Sequence, residues 1–306
     1  MTSIKAVKTQ KVCTMKDFLQ RFIFENAPVR GEFIHLDATF LTIIAQHNYP
    51  EPLKRLLGEA LCVAGLLTAL IKFEGRLTVQ FRGKGALKLL LAQCDNHFGM
   101  RAVAQWEGEL SYQSLMASFE EGVLSIMVGA QDSPNRHQGI VSWRGQSLIE
   151  SIEGYFKDSE QLMTKIWLNV NQNAAAGVLL QALPLDQNMT DFDLGISHWQ
   201  RITQSLNQLT PNDLLMKPFL DLLKTYCPED DIRAFQPVPV EFSCTCSRKK
   251  GSDAILVLGK TEAEAELKRK KVIVVTCDFC NSVYQFDRND IAGLFGGKIP
   301  PDTSIH

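Results

Sequence analysis

An α+β protein in three parts is what this sequence of 306 residues predicts. The parts are a mixed β-sheet N-terminal domain with packed helices (1–187), a helical linker (188–240) and a small C-terminal metal-binding module (241–306). Three observations carry that expectation. Between residues 18 and 183, short runs of alternating apolar and polar residues surround one long helical stripe. Between 188 and 240 the apolar residues shift to helical spacing. Beyond 240, Cys244 and Cys246 in FSCTCS and Cys277 and Cys280 in VTCDFCNS form two close pairs, separated by the 30 residues from 247 to 276.

Length and composition set the outer bounds. At 306 residues the chain exceeds a comfortable single core, so more than one folding unit is expected. A hydrophobic content of 45% with 22% charged residues fits a globular protein. A net charge of −2 supplies no global attraction to nucleic acid or an anionic membrane. The N-terminal MTSIKAVKTQKVCTMKDF has no apolar signal region, and the longest apolar stretch, Leu61 to Ile71, is too short to span a bilayer. Eight cysteines without an export signal point to a reducing cytosol, where thiols serve metals or redox chemistry.

Taken in order, Phe22 and Phe24 alternate with Ile23 and Glu25, and Phe33, His35 and Asp37 alternate with Ile34, Leu36 and Ala38. Pro28-Val29-Arg30-Gly31 between them has turn chemistry, so strand, turn and strand are expected. Pro50 and Pro52 open a helix whose apolar positions run Leu53, Leu56, Leu57, Ala60, Leu61, Ala64, Leu67, Leu70 and Ile71. That stripe is broad enough for burial on most sides, and Cys62 within it reads as a small apolar filler. Strands are expected at 77–81 and 86–92, joined by Arg82-Gly83-Lys84-Gly85. That glycine pair lacks the Lys-Ser/Thr and helix start of a phosphate loop, so it reads as a hairpin turn. Further strands are expected at 101–106, 122–128, 137–143, 164–170 and 176–183, with a helix over 147–156.

No catalytic constellation is visible in this domain, and the chain reads as a non-enzyme. His35, His47, His97 and His137 are scattered, Glu59 and Glu74 are single carboxylates, and Cys13, Cys94 and Cys227 are lone thiols.

In the linker, Trp199, Ile202, Leu206 and Leu209 share a helical face. Thr210 and Pro211 then mark a cap and first turn, ahead of Leu214, Leu215, Phe219, Leu220, Leu222 and Leu223. Its four basic and seven acidic residues give a net charge of −3. These helices must bury their apolar faces, either as a permanent extension of the core or as a conditional cover. Pro237-Val238-Pro239 reads as a stiff joint.

Two close cysteine pairs brought together by one loop supply the four soft ligands of a tetrahedral zinc ion. Such a site is compatible with a purely structural role. The same thiols could also serve a sensor, because zinc keeps cysteine deprotonated and each sulfur has a neighbour able to resolve a sulfenic acid. Val272 to Val275 reads as the strand delivering Cys277, and Val283 to Phe286 as the strand leaving Cys280. Arg248 to Lys250 and Lys268 to Lys271 are basic runs balanced by Glu262, Glu264 and Glu266. With ten basic and nine acidic residues from 241 to 306, a solvated face is expected rather than nucleic-acid binding. A zinc ribbon binding RNA or a protein partner is the alternative.

The stretch FSCTCSRKK…ILVLGKTEAEAELKRKKVIVVTCDFCNSVYQF resembles the C-terminal module of the redox-regulated 33-kDa heat-shock chaperone family. Its pattern is Cys-x-Cys, about thirty residues, then Cys-x-x-Cys followed by Tyr-x-Phe. VRGEFIHLD, HNYPEPLKRLLGEAL, LIKFEGRLTVQFRGKG, YFKDSEQLMTKIWL and AAGVLLQALP resemble family segments in the same order. KKGSD after the first pair and Leu-Met before Thr164 depart from the pattern without touching the cysteines. The resemblance implies an ATP-independent holdase of the bacterial cytosol that prevents aggregation of unfolding client proteins. It implies one zinc per reduced, inactive chain on Cys244, Cys246, Cys277 and Cys280. It further implies that oxidation pairs Cys244 with Cys246 and Cys277 with Cys280, releases zinc, loosens the linker and favours a homodimer.

Overall fold

The computed structural model describes residues 17–120, 122–129, 137–144, 147–184 and 192–296. The chain divides into two compact units, 1–243 and 244–306. Cys13 lies outside the described residues.

In the first unit, β1 (Phe18–Phe24) and β2 (Val29–Leu36) form an antiparallel hairpin with Phe22 opposite Gly31. Helix α1 (Ala38–Ile44) has no cap of its own, and the Asp17 carboxylate accepts the orphan N–H groups of Asp37 and Thr39 instead. Helix α2 (Glu51–Leu70) starts where Pro50 and Pro52 place it, because proline costs nothing in a first helical turn. Three antiparallel strands follow, β3 (Arg76–Arg82), β4 (Leu87–Asp95) and β5 (Gly99–Trp106). Gly83 to Gly85 is the expected hairpin turn, closed by Gly83 N–H on the Lys88 carbonyl at 3.0 Å.

Helix α3 (Tyr112–Glu120) is an addition to the expected elements. Its polar sequence hides it, but Ser111 and Ser114 cap one another through their hydroxyls and backbone N–H groups. Buried Phe119 stacks on Trp143, with centroids 3.8 Å apart. After it come β6 (Val123–Gly129), β7 (His137–Val141), α4 (Leu148–Tyr155), a π-helical turn over Phe156–Glu160, β8 (Thr164–Val170) and β9 (Ala175–Ala182).

Helices α5 (Phe192–Leu206), α6 (Pro211–Met216) and α7 (Phe219–Tyr226) occupy the linker stretch. The Thr210 hydroxyl caps α6, accepting from Asp213 N–H at 3.1 Å, as its position ahead of Pro211 predicts. Short strands β10 (Ile232–Ala234) and β11 (Val238–Pro239) then pair with β1, and β12 (Glu241–Phe242) pairs with β5. The expected stiff joint at Pro237 to Pro239 is therefore corrected. Val238 and Pro239 are stitched to the edge of β1, which proline tolerates because that position needs no donor on its open side.

One sheet runs β10-β1-β2-β9-β8 with β11 also on β1, and the other runs β12-β5-β4-β3-β6-β7. Helix α2 packs against both. Fourteen of its residues are buried, including Leu57, Leu61, Cys62 and Leu66. At Gly65 an added Cβ would stand 2.3 Å from Ile34 Cδ1, so glycine there sets how closely helix and sheet approach.

The first sheet is buried on both faces because its strands are apolar at both parities. Leu19, Ile34, Leu36 and Leu179 face α2, while Phe22, Phe33, Val178 and Leu180 join the helices α5 to α7 in a second cluster. Trp199, Ile202, Leu206, Phe219, Leu222 and Leu223 fill that cluster from the helix side. No helix among the described residues is long and apolar enough to cross a membrane.

The second unit begins at Cys244. Ser247 caps α8 (Arg248–Leu258), Gly259 at φ +93° breaks it, and α9 (Lys260–Lys270) follows. An antiparallel pair, β13 (Ile273–Thr276) and β14 (Val283–Phe286), carries the second cysteine pair in its turn. Helix α10 (Arg288–Phe295) starts in a reciprocal Asp287–Asp290 capping box. The core is small: Ile255, Ala263, Leu267, Ile273, Phe286 and Ile291. The mixed α+β expectation therefore holds for this chain, including its compact cysteine-bearing module.

Candidate metal centre

Two loops bring the four cysteines of the second unit together. The first is the segment before α8, where Ser247 accepts the Lys250 N–H at 3.3 Å and so fixes how the chain turns after Cys246. The second is the β13–β14 turn. Cys277 N–H donates to the Ser282 carbonyl and Asn281 N–H to the Cys277 carbonyl, each at 2.9 Å, and Asn281 sits at φ +55°. Asparagine adopts that left-handed conformation more readily than most residues, and it turns Cys280 back toward Cys277.

The four Sγ atoms all lie within 4.8 Å of one another. Cys244 and Cys277 approach to 3.6 Å, Cys246 and Cys280 to 3.3 Å. Four sulfurs on a tetrahedral zinc, with bonds of about 2.3 Å, stand about 3.8 Å apart. The donor set and its spacing thus fit a thiophilic divalent ion, and all four thiols are half-buried.

The surroundings of Cys244, Cys277 and Cys280 act differently on their thiols. Burial pushes the Cys244 thiol up to about 12, and the nearby thiols of Cys280, Cys246 and Cys277 add to it against the Cys246 N–H. Burial likewise raises Cys277. At Cys280 burial opposes ionisation but is outweighed by the Ser282 hydroxyl, the Ser282 N–H and the thiols of Cys246 and Cys244, which bring it down to about 7. Thiolate is the nucleophilic and metal-binding form, and the Ser282 contacts favour that form at Cys280.

Three residues around the cluster have contacts that sequence reasoning did not assign to them. Tyr284 places its hydroxyl 3.2 Å from Cys246 Sγ, and Ser282 Oγ is 3.2 Å from Cys280 Sγ. Arg248 belongs to a run expected to be solvated. Instead its guanidinium donates to the Gln285 carbonyl at 2.6 Å, pairs with Asp290 at 2.7 Å and lies 4.5 Å from the Phe286 ring centroid. The signal for Tyr284 was available: an amphipathic residue two positions from Ser282 and four from Cys280, on a strand leaving the site.

The remaining candidates among the described residues belong to the first unit. Cys62, Cys94 and Cys227 are buried, and burial pushes Cys94 and Cys227 each up to about 12 and raises Cys62 as well. Such thiols are inert toward solvent oxidants. His35 Nε2 meets the Leu215 carbonyl at 3.1 Å, and His47 lies edge-on to Tyr49. His97 lies beside Asn96, and His137 is exposed on β7. Glu59 pairs with Arg55, and Glu74 accepts from Asn96.

Comparison with known proteins bears on this geometry. A family profile described as Hsp33 protein matches residues 17–287. The 33 kDa chaperonin of Azotobacter vinelandii is 38% identical over 295 residues, covering 95% of this chain and 99% of that protein. Its counterpart in Nitrosococcus oceani is 39% identical over 291 residues, covering 94% and 98%. Among solved structures, the crystal structure of a 33 kDa chaperonin (heat shock protein 33 homolog) from Thermotoga maritima is similar in fold. Its TM-score is 0.75 at 21% identity, over 92% of this chain and 98% of that one.

Proposed function

This chain belongs to the Hsp33 family, and from that premise we propose that it is a redox-regulated, ATP-independent holdase of the cytosol. The observation that carries the reading is the cluster of four sulfurs within 4.8 Å, drawn from two arms of the second unit. Cys244, Cys246, Cys277 and Cys280 hold one zinc ion in the reduced chain. Bound zinc supplies the positive charge that keeps the four sulfurs deprotonated and the binding energy that closes a small module.

The oxidation is a thiol–disulfide conversion by hydrogen peroxide. One thiolate attacks the peroxide oxygen, forming a sulfenic acid and expelling hydroxide. The neighbouring sulfur then displaces the sulfenic oxygen, forming the disulfide. Each pair gives up two electrons, and with two protons the peroxide leaves as two waters. The pairs formed are Cys244–Cys246 and Cys277–Cys280. Pairing within each arm consumes all four ligands and leaves the arms unconnected, whereas pairing across them would staple the module shut.

The response is carried by helices α5 to α7. Their cluster with Phe22, Phe33, Val178 and Leu180 is a large apolar surface in reserve. Exposed, it is the kind of patch that captures unfolding chains. The segment from Ile232 to Phe242 joins these helices to Cys244 through three short strands. Unfolding that begins at Cys244 frays those strands first and then loosens the helices. The activated form is a homodimer, and its partners are non-native polypeptides, not nucleic acid or membrane.

The test treats reduced, zinc-loaded protein with peroxide at mildly elevated temperature. Metal release is followed with a chromogenic chelator while light scattering of a heat-unfolding client is recorded. Metal release and suppression of scattering should rise together and be reversed by dithiothreitol. Metal release followed by precipitation of the protein itself would make the site structural and remove the switch.

A further inference from the structure

The two cysteine arms are tied down differently. The Cys277–Cys280 arm is held by its own turn, through the Cys277–Ser282 and Asn281–Cys277 backbone bonds and the Cys280–Ser282 contact. In the Cys244–Cys246 arm, Lys250 Nζ donates to the Thr245 carbonyl at 2.7 Å, but the hydroxyl on a sulfur comes from the other arm. Tyr284 sits on β14 opposite Val275, and its ring packs on the small core. Its hydroxyl reaches Cys246 Sγ at 3.2 Å, and the same sulfur stands 3.3 Å from Cys280.

We propose that Tyr284 is a positioning residue of the thiol switch: its hydroxyl donates a hydrogen bond to Cys246 Sγ, ties the Cys-x-Cys arm to the strand behind the Cys-x-x-Cys arm, and restrains Cys246 from oxidation. The inference rests on the reading of the four cysteines as a metal-bound switch. A ligand sulfur that accepts a hydrogen bond shares its charge with the donor, so it is a weaker nucleophile toward peroxide. Partners of ligand atoms also orient those atoms, and losing one typically weakens metal binding about 10- to 100-fold. The tyrosine ring supplies the placement and the hydroxyl supplies the effect, so the two are separable by one atom.

The experiment compares the full-length chain with Tyr284→Phe and Ser282→Ala, each reduced and metal-loaded. Three quantities are read: zinc retained against a competing chelator, the sulfur-to-cobalt charge-transfer band of the cobalt-substituted protein, and the oxidation of each cysteine by substoichiometric peroxide, resolved by differential alkylation and mass spectrometry. Tyr284→Phe should retain zinc about 10- to 100-fold less tightly, shift the cobalt band and raise the share of oxidation at Cys246. Ser282→Ala should instead raise the share at Cys280. Zinc retention within about twofold of the parent, with an unmoved band and unchanged Cys246 oxidation, would overturn the assignment. So would equal acceleration of all four cysteines in both variants, which would reduce Tyr284 to packing. If the parent chain gains no client protection on oxidation, the switch fails as a function while the Cys246 measurement still judges Tyr284.

Discussion

Helix α2 buries fourteen residues between two sheets, whereas α8 and α9 of the second unit bury two each. The first unit is held by apolar area, with each fully buried Leu or Phe contributing about 1.5–3 kcal/mol. The second has a core of six residues and a cluster of four sulfurs. A module of that size needs a staple, and under the proposed function that staple is a bound ion whose ligands can be oxidised and re-reduced. Burial cannot be switched off by an oxidant, but thiolate ligation can. A sensor placed in the unit with the smaller core, as proposed, makes a change at four sulfur atoms a change in folding.

Helices α5 to α7 stand between these extremes. They are part of the first unit, yet each is too short to persist alone in water. Their order depends on docking against the first sheet, aided by polar contacts at the margin. Trp167 Nε1 donates to Asn207 Oδ1 at 3.0 Å, Asn169 donates to the Pro211 carbonyl at 2.8 Å, and Arg201 bonds both oxygens of buried Asp230 at 2.9 and 2.5 Å.

The contrast breaks most visibly by removing one ligand. Cys246→Ser, or chelation of the reduced protein, should unfold the second unit, since structural zinc contributes on the order of 10 kcal/mol to such modules. Nuclear magnetic resonance should show loss of dispersion for residues 244–296 with α2 still protected from hydrogen exchange. Retained dispersion would mean that the six-residue core suffices. A smaller effect is expected at Phe219, whose ring lies 4.7 Å from Phe33 and 5.1 Å from Phe22. Phe219→Ala should cost about 3–5 kcal/mol of helix docking and give client protection without oxidant. A reduced variant that remains idle would show that undocking alone does not expose the client surface.

The smallest effect sets the units against each other in pH. Glu32 on β2 is buried, its Oε2 has no hydrogen-bond partner, and Arg21 Nε stands 3.9 Å away. Burial raises its carboxyl to about 8, against the lowering by Arg21 and Arg30. Folding then takes up a proton between about pH 4.5 and 8, so the first unit loses a few kcal/mol of stability as pH rises through that window. The second unit should respond oppositely, because acid protonates the sulfurs proposed to bind metal. Glu32→Gln should flatten the pH dependence of the first unit's denaturation midpoint and leave metal retention unchanged. A slope that persists in the variant would place the proton elsewhere.

The local sequence determined much of this architecture. Alternation located the strands because a sheet imposes period 2 whatever its neighbours, and Pro50, Pro52, Thr210 and Pro211 marked helix starts through backbone chemistry confined to one turn. The spacing of Cys244, Cys246, Cys277 and Cys280 indicated a metal site because ligand bite is likewise local. Other features depended on the assembled fold. Helix α3 escaped because only two of its apolar residues, Leu115 and Phe119, are buried, and Phe119 meets Phe81 and Trp143 only in the assembled fold. Val238 and Pro239 read as a joint because a sequence does not show which strand edge lies alongside. Tyr284 and Arg248 acquire their roles from partners 38 and 42 positions away, Cys246 and Asp290 respectively. Secondary structure and ligand identity are short-range properties of a chain, whereas which hydroxyl touches which sulfur is settled only when the arms are brought together.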